Sequence, residues 1–485
     1  MSKLLFTHSY FLRFDPKQWK LGQPYAPLGT LYAAAFMRSK GYEVGFHDVQ
    51  FDEDPETITK SLHRLNPDYF IIYDDGFNYL TKMCLTNMRD AAFKMIGIAK
   101  KCGKKIIVSS SDSTDHFIEY IAAGANVVLI GEGEQSLLEV INAFENGEDL
   151  STIPGIAFQS TAGITKTASR PVIKDLDALP LPAWDLVDLE PYRKMWLNSA
   201  GYFSINIGTT RGCPFKCNWC AKPIYGNRYH SRSPQHVVNE IKVLKQKIQF
   251  EHIWFCDDIF GLKPGWVQQF ADLVENEELH FSFKIQSRAD LLLQPSYVKA
   301  LARAGCKQVW MGAESGSQKI LDAMDKGIQV QQVHQATALL KKHKIQPCFF
   351  IQFGYLGETK EDINLTIGMI NKLMPHEIGI SVSYPLPGTG FFEKVKADLK
   401  EKTNWTDSDE LVMMFRNTYA PGYYKKLHRY VHYRFRIQKG LNTVRHSLRS
   451  PFELKWKDIK TVGASIVYLP RVLFYRYQLN QQAHE

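Results

Sequence analysis

Residues 205–220 read INIGTTRGCPFKCNWC, an apolar strand-like run that ends in a loop holding Cys213, Cys217 and Cys220. Three thiols so close together point to a metal. A structural zinc site wants four ligands, usually two Cys-x2-Cys knuckles, and no second pair completes this one; His230 is available as a fourth ligand, but nothing in the spacing requires it. A cubane [4Fe-4S] cluster tolerates three thiolates, because its fourth iron then stays open to a ligand that reacts there.

Working outward from the loop, FSINIGT, HIWFCDD, FSFKIQS, KQVWMGA, QPCFFIQFG and IGISVSYP are strand-like. They alternate with helical stretches such as SPQHVVNEIKVLKQK and VQQVHQATALLKKHK. Six such repeats predict a partial TIM-type (β/α)6 barrel over residues 201–395, with its active site at the carboxyl ends of the strands.

Upstream, residues 1–145 carry a second α/β pattern. SKLLFTH, YEVGFHD, YFIIYDD, KKIIVSS and NVVLIGE read as buried strands, separated by stretches at helical spacing that end in Lys, Arg and Gly. This predicts a doubly wound, Rossmann-like sheet with its ligand site beyond the strand carboxyl ends. The corners there are Pro27-Leu28-Gly29, Asp74-Asp75-Gly76, Ser109-Ser110-Ser111 and Gly131-Glu132-Gly133-Glu134. Such small corners suit a large flat or phosphate-bearing ligand, and they suit ordinary turns equally well. Residues 146–200, rich in Gly, Pro, Ser and Thr, read as a connector, and residues 396–485 as a basic, aromatic, mainly helical region.

Composition excludes several classes. The 485 residues are 45% hydrophobic and 22% charged, as in ordinary globular proteins, so neither a disordered nor a fibrous chain is expected. The remaining cysteines, Cys84, Cys102, Cys256, Cys306 and Cys348, are scattered singly and predict reduced thiols rather than a disulfide framework. With no secretion signal or long apolar span in view, the expected location is the cytoplasm. The net charge of +9 belongs to the end of the chain, since residues 422–485 hold 13 Lys and Arg against 3 Asp and Glu. That segment predicts either a helix packed on the barrel with a solvated basic face, or peripheral membrane contact helped by ASIVYLPRVLFYRY. An RNA-binding module with a structural metal is the alternative from another class; no nucleic-acid partner is otherwise expected.

The cysteine loop after a first barrel strand resembles that of radical S-adenosylmethionine (SAM) enzymes. The doubly wound domain ahead of the barrel resembles the branch holding the anaerobic magnesium-protoporphyrin ester cyclase and cobalamin-dependent C- and P-methyltransferases. The resemblance implies three cofactors: a [4Fe-4S] cluster on Cys213, Cys217 and Cys220, SAM, and cobalamin. It places Trp219, Asp257, Asp258, Ser287, Arg288, Gly312 and Glu314 around SAM, and Pro27, Gly29, Asp75, Ser109, Ser110, Gly131, Glu132 and Gly133 around cobalamin. A helix N-cap after the strand competes as the role of one of Asp257 and Asp258. His47 and His116 lack the surroundings of a lower cobalt ligand, and Ser109-Ser110-Ser111-Asp112 stands where the branch commonly has Gly-Gly-Pro-His. The implied activity is methylation of an unactivated carbon on a small-molecule or lipid-like substrate, with oxidative cyclisation or another redox outcome as the alternative. The electron donor would be a flavodoxin or ferredoxin.

Overall fold

The computed structural model describes residues 2–220, 225–402, 404–449 and 456–482. Its strands are β1 (Lys3–Thr7), β2 (Glu43–Phe46), β3 (Tyr69–Tyr73), β4 (Lys105–Ser109), β5 (Val127–Leu129), β6 (Ile156–Ser160), β7 (Gly163–Lys166), β8 (Ser204–Ile207), β9 (Thr210–Arg211), β10 (His230–Ser231), β11 (His252–Phe255), β12 (Ser282–Ser287), β13 (Cys306–Glu314), β14 (Gln346–Phe353) and β15 (Glu377–Val382).

The first sheet has the order β2-β1-β3-β4-β5-β6-β7. Its first five strands pair in parallel, and β1, β3, β4 and β5 are apolar runs buried on both faces. β2, expected to be buried, is exposed to half-buried because it lies at the sheet's edge. Strand order reverses between β1 and β3, which creates a crevice at their carboxyl ends. Residues 146–200 are more than the connector expected from composition. They supply β6 and β7, an antiparallel hairpin on the sheet's edge. Ile156, Ala157 and Phe158 are buried against β5, a run too short to stand out among the Gly, Pro and Ser around it.

The second sheet is fully parallel with the sequential order β15-β14-β13-β12-β11-β8, a six-stranded half-barrel as predicted. On β12, Phe283 and Ile285 are buried beneath the helices, whereas Lys284 and Gln286 are half-buried on the opposite, inward face. Trp254, Trp310 and Phe350 are likewise half-buried, and the rings of Trp310 and Phe350 stack 4.8 Å apart.

The first sheet packs an apolar layer on each face, whereas the barrel's core is a third cluster that continues into the helix Leu28–Ser39 and the C-terminal region. Polar bonds stitch the boundary. Asn206 on β8 donates to the Ala26 carbonyl at 2.9 Å, and Tyr25 shares a 3.1 Å bond with Ser204. The chain ends in two antiparallel helices, Pro421–Arg449 and Trp456–Gln482. Tyr423, Tyr424, Leu427, Tyr430, Val431 and Phe435 bury one face of the first of these, so its aromatics do pack on the barrel. Among the described residues no helix is long and apolar enough to cross a membrane.

Candidate functional site: the cysteine loop and the sheet edge it meets

The loop leaves β9 through Gly212, whose φ of +82° and close approach to the Arg228 carbonyl demand glycine. Cys213 and Cys217 are half-buried and Cys220 is exposed, and all three are free thiols. Burial pushes the Cys213 thiol up, and Asp258 and Cys217 nearby add to that. Among the described residues, no three His, Cys, Asp or Glu side chains are gathered tightly enough to hold a metal ion as they stand.

What holds the loop is Asn218, a residue that sequence reasoning passed over. Its amide donates to the Ala323 carbonyl at 2.9 Å and to Asp325 at 2.6 Å, and its side-chain oxygen accepts from Tyr355 at 2.7 Å. Its backbone N–H reaches the Met324 carbonyl at 3.1 Å and its own carbonyl accepts from Phe391 N–H at 2.7 Å. Trp219, the next residue, has the Lys326 ammonium 5.7 Å from its ring, and its buried indole N–H has no acceptor among the described residues.

The paired aspartates after β11 divide. Asp257 is buried and accepts from Thr209 N–H at 2.7 Å, Thr209 Oγ1 at 2.6 Å and Thr210 N–H at 2.8 Å. It braces the strand that launches the loop and caps no helix, and burial pushes its carboxyl up to about 6. Asp258 instead accepts from Lys82 of the first sheet's domain at 2.8 Å and remains partly open.

At the ends of the next strands, Ser287 and Arg288 are buried. The Arg288 guanidinium lies 3.7 Å over the Phe215 ring of the loop, donates to Asp290 at 3.1 Å and to the Lys326 carbonyl at 3.0 Å. Glu314 ends β13 at a register shift that turns its side chain, with φ +55°. It is buried and accepts from Lys326 Nζ at 2.9 Å. Burial opposes the Lys326 ammonium, yet Glu314 and then Cys217 hold it above its ordinary value. Gly312 makes room for this pair, since a Cβ there would stand 2.6 Å from both Glu314 Oε1 and Lys326 Nζ. Trp219, Arg288, Gly312, Glu314 and Lys326 therefore share one wall beside the cysteines. Lys326 gave no signal, because a lone lysine after a short helix reads as ordinary C-terminal charge.

The sheet-edge residues are largely committed to one another. Asp75 accepts from Gly29 N–H at 3.0 Å and Phe77 N–H at 2.9 Å, and Pro27 lies buried just before that helix. Ser110 caps the short helix Ser111–Asp115 in a reciprocal pair with Ser113. Ser109 ends β4 beside Gly133, which also abuts the Tyr73 ring, and Gly131 turns with φ +80°. Glu132 accepts from Ile173 N–H at 2.5 Å and from Arg211, the residue that opens the cysteine motif. Arg211 also donates to Glu134 at 2.6 Å and lies over the rings of Tyr225 and Tyr32. His47 has both ring nitrogens engaged, by Ser61 at 2.7 Å and Asp52 at 2.8 Å.

Residues 207–370 match the family model of the radical SAM superfamily. The half-barrel with its cysteine loop is a radical SAM domain, and the chain is a radical SAM enzyme. Over most of its length it is similar to an uncharacterized methyltransferase of Pyrococcus horikoshii, at 27% identity covering 78% of this chain and 80% of the relative. It is also similar to the anaerobic magnesium-protoporphyrin IX monomethyl ester cyclase of Rubrivivax gelatinosus, at 24% identity covering 90% and 81%. The fold is shared with the radical SAM methyltransferase TsrM of Kitasatospora setae, solved with cobalamin and a [4Fe-4S] cluster (TM-score 0.68, 18% identity, covering 81% of this chain and 78% of that one). It is shared too with the cobalamin-dependent SAM radical enzyme OxsB, solved with aqua-cobalamin and SAM (TM-score 0.73, 14% identity, covering 96% and 70%).

Proposed function

We propose that this enzyme is a cobalamin-dependent radical SAM methyltransferase acting on an unactivated carbon of a small-molecule or lipid-like substrate, with electrons from a flavodoxin or ferredoxin. Cys213, Cys217 and Cys220 would hold the [4Fe-4S] cluster. The observation that carries the reading is the joint made by Arg211, which ties the cysteine loop directly to the Gly131–Glu134 turn at the first sheet's edge.

The donor set fits a cluster: three unpaired thiols lie on one loop braced by Asn218 and Asp257. The wall beside it fits SAM. It offers an indole N–H without an acceptor among the described residues, and both signs of charge, Asp258 and Glu314 together with Arg288 and Lys326, to meet a ligand carrying an ammonium and a carboxylate. The sheet edge fits cobalamin with no lower histidine, since His47 is occupied. Contact would fall to backbone and small side chains at Pro27, Ser109, Gly131 and Gly133, because Ser110, Asp75 and Glu132 already serve the fold.

When bound, these cofactors supply radical generation and a transferable methyl group. The chain's own residues hold the loop against the sheet edge and close the seam with Tyr32, Phe77 and Tyr225, all buried, which keeps water from the space between. The inward rings of Trp254, Trp310 and Phe350 offer an apolar surface below for the substrate.

Anaerobic reconstitution with iron, sulfide and hydroxocobalamin tests this reading. The expected result is about four irons per chain, one equivalent of cobalamin, and 5'-deoxyadenosine from SAM under reduction. A chain that takes up the cluster but no cobalamin would sink it. A relative named as a cyclase aligns along 90% of this chain, which keeps ring formation as the second reading. Methyl-labelled SAM separates the two, since only a methyltransferase moves label into product.

A further inference from the structure

The last helix, Trp456–Gln482, carries a face that the described residues leave uncovered. Tyr468, Val472, Tyr475 and Leu479 turn toward the preceding helix, where Tyr433 stacks on Tyr468 at 5.0 Å, Arg429 donates to Tyr475 at 3.1 Å and Arg436 to Tyr468 at 3.1 Å. On the opposite side Ile466 is 71% exposed, Val467 60%, Leu469 52%, Leu473 59%, Phe474 55% and Tyr477 63%. At 3.6 residues per turn these six span an arc of about 160°. Arg471 and Arg476 fall just outside its two borders.

A contiguous apolar face of this size on a folded surface marks something that covers it. Charge decides what. The preceding helix holds eight Lys and Arg and no Asp or Glu, and the last helix has a single carboxylate, Asp458. Arg471 and Arg476 are both exposed and neither forms an ion pair among the described residues, although the Arg471 guanidinium reaches back to 5.6 Å from the Tyr433 ring and 5.9 Å from the Tyr468 ring. A second copy seated about a two-fold axis would set these cations against themselves. An anionic lipid surface instead matches an apolar face with cationic borders, and among the described residues no helix is long and apolar enough to cross a bilayer.

We propose that the last helix lies in the plane of an anionic membrane interface, with Ile466, Leu473, Phe474 and Tyr477 among the upper acyl chains and Arg471 and Arg476 at phosphate level. The proposal does not depend on the reaction the enzyme performs.

The test is co-sedimentation of the full chain with phosphatidylcholine vesicles, with and without phosphatidylglycerol. Binding is expected only with phosphatidylglycerol and weakens as salt rises. R471Q/R476Q should lower partitioning about thirtyfold, and L473S/F474S at least about tenfold. Both variants alter exposed side chains, so circular dichroism and iron uptake should match the parent. No binding of the parent at low salt overturns the proposal, as does equal binding by both variants. Sedimentation velocity showing a dimer that L473S/F474S dissolves also overturns it, because the face would then belong to a second copy.

Discussion

Arg211 donates to Glu134 at 2.6 Å, and through this bond and its partner on Glu132 the first residue of the cysteine motif is anchored in the glycine turn of another sheet. All three side chains are buried. Burial opposes the Arg211 charge, but Glu134 and Glu132 hold the guanidinium protonated.

Removing the cation should therefore be costly. Arg211→Met leaves two buried carboxylates without their cation, and a loss of about 3–5 kcal/mol is expected from the urea midpoint at neutral pH. Adding E132Q and E134Q to R211M should restore a large part of it, since the desolvated charges are then gone. An unchanged midpoint in R211M would show that the joint does not hold the two sheets together.

Asn218→Ala should separate loop order from global stability. The variant keeps Cys213, Cys217 and Cys220 but loses the side-chain bonds to Ala323, Asp325 and Tyr355. Iron retained after anaerobic reconstitution and desalting is expected to fall by half or more, while thermal unfolding of the apo chain shifts only modestly, at about 1 kcal/mol per lost bond. Full iron retention would assign the loop's order to other contacts.

Gly312→Ala tests the charged wall. Its new Cβ displaces both Glu314 and Lys326, so SAM affinity by equilibrium dialysis should drop roughly tenfold or more, about 1.4 kcal/mol. Cluster uptake should persist, because the atoms nearest the new Cβ belong to Glu314 and Lys326 and not to the cysteine loop. Unaltered SAM binding would remove the pair from the ligand site.

Glu358 sets a pH dependence. Its carboxyl is buried between the Gly354 N–H at 2.7 Å and the barrel, and burial pushes it from 4.5 up to about 8. Between those values the unfolded chain has released this proton and the folded one still holds it. Stability must therefore fall as pH rises from about 4.5 to 8, by up to about 1.4 kcal/mol per unit from this group. Glu358→Gln should be more stable than the parent at pH near 9 and equal to it near pH 5, as read from urea unfolding. A constant difference across that range would contradict the assignment.

Much of the architecture was legible before any coordinates. The expected strands from SKLLFTH to IGISVSYP all form: β1, β3, β4 and β5 as apolar runs buried on both faces, half-barrel strands such as β12 and β15 with alternate residues buried. The β6–β7 hairpin was missed, since edge strands need only a few apolar residues and theirs lie among turn formers. The roles of Asp257, Ser110 and Glu132 were not readable at all. The resemblance places each beside a cofactor, and each also has a partner within the fold that no local pattern reports: Thr209, Ser113 and Arg211.

By itself the sequence determined the cysteine spacing, the two βα series and the basic, aromatic end of the chain, because those signals are local and repeat with the period of a helix or strand. Tertiary structure decided which polar groups remain available. Lys82 meets Asp258, and Arg211 meets Glu132, across 176 and 79 residues of chain, and no periodicity reports a partner that distant. It also decided that one side of the last helix packs on its neighbour while Leu473 and Phe474 are left outside, since an amphipathic pattern shows that a face is apolar and only the packed fold shows whether that face is covered.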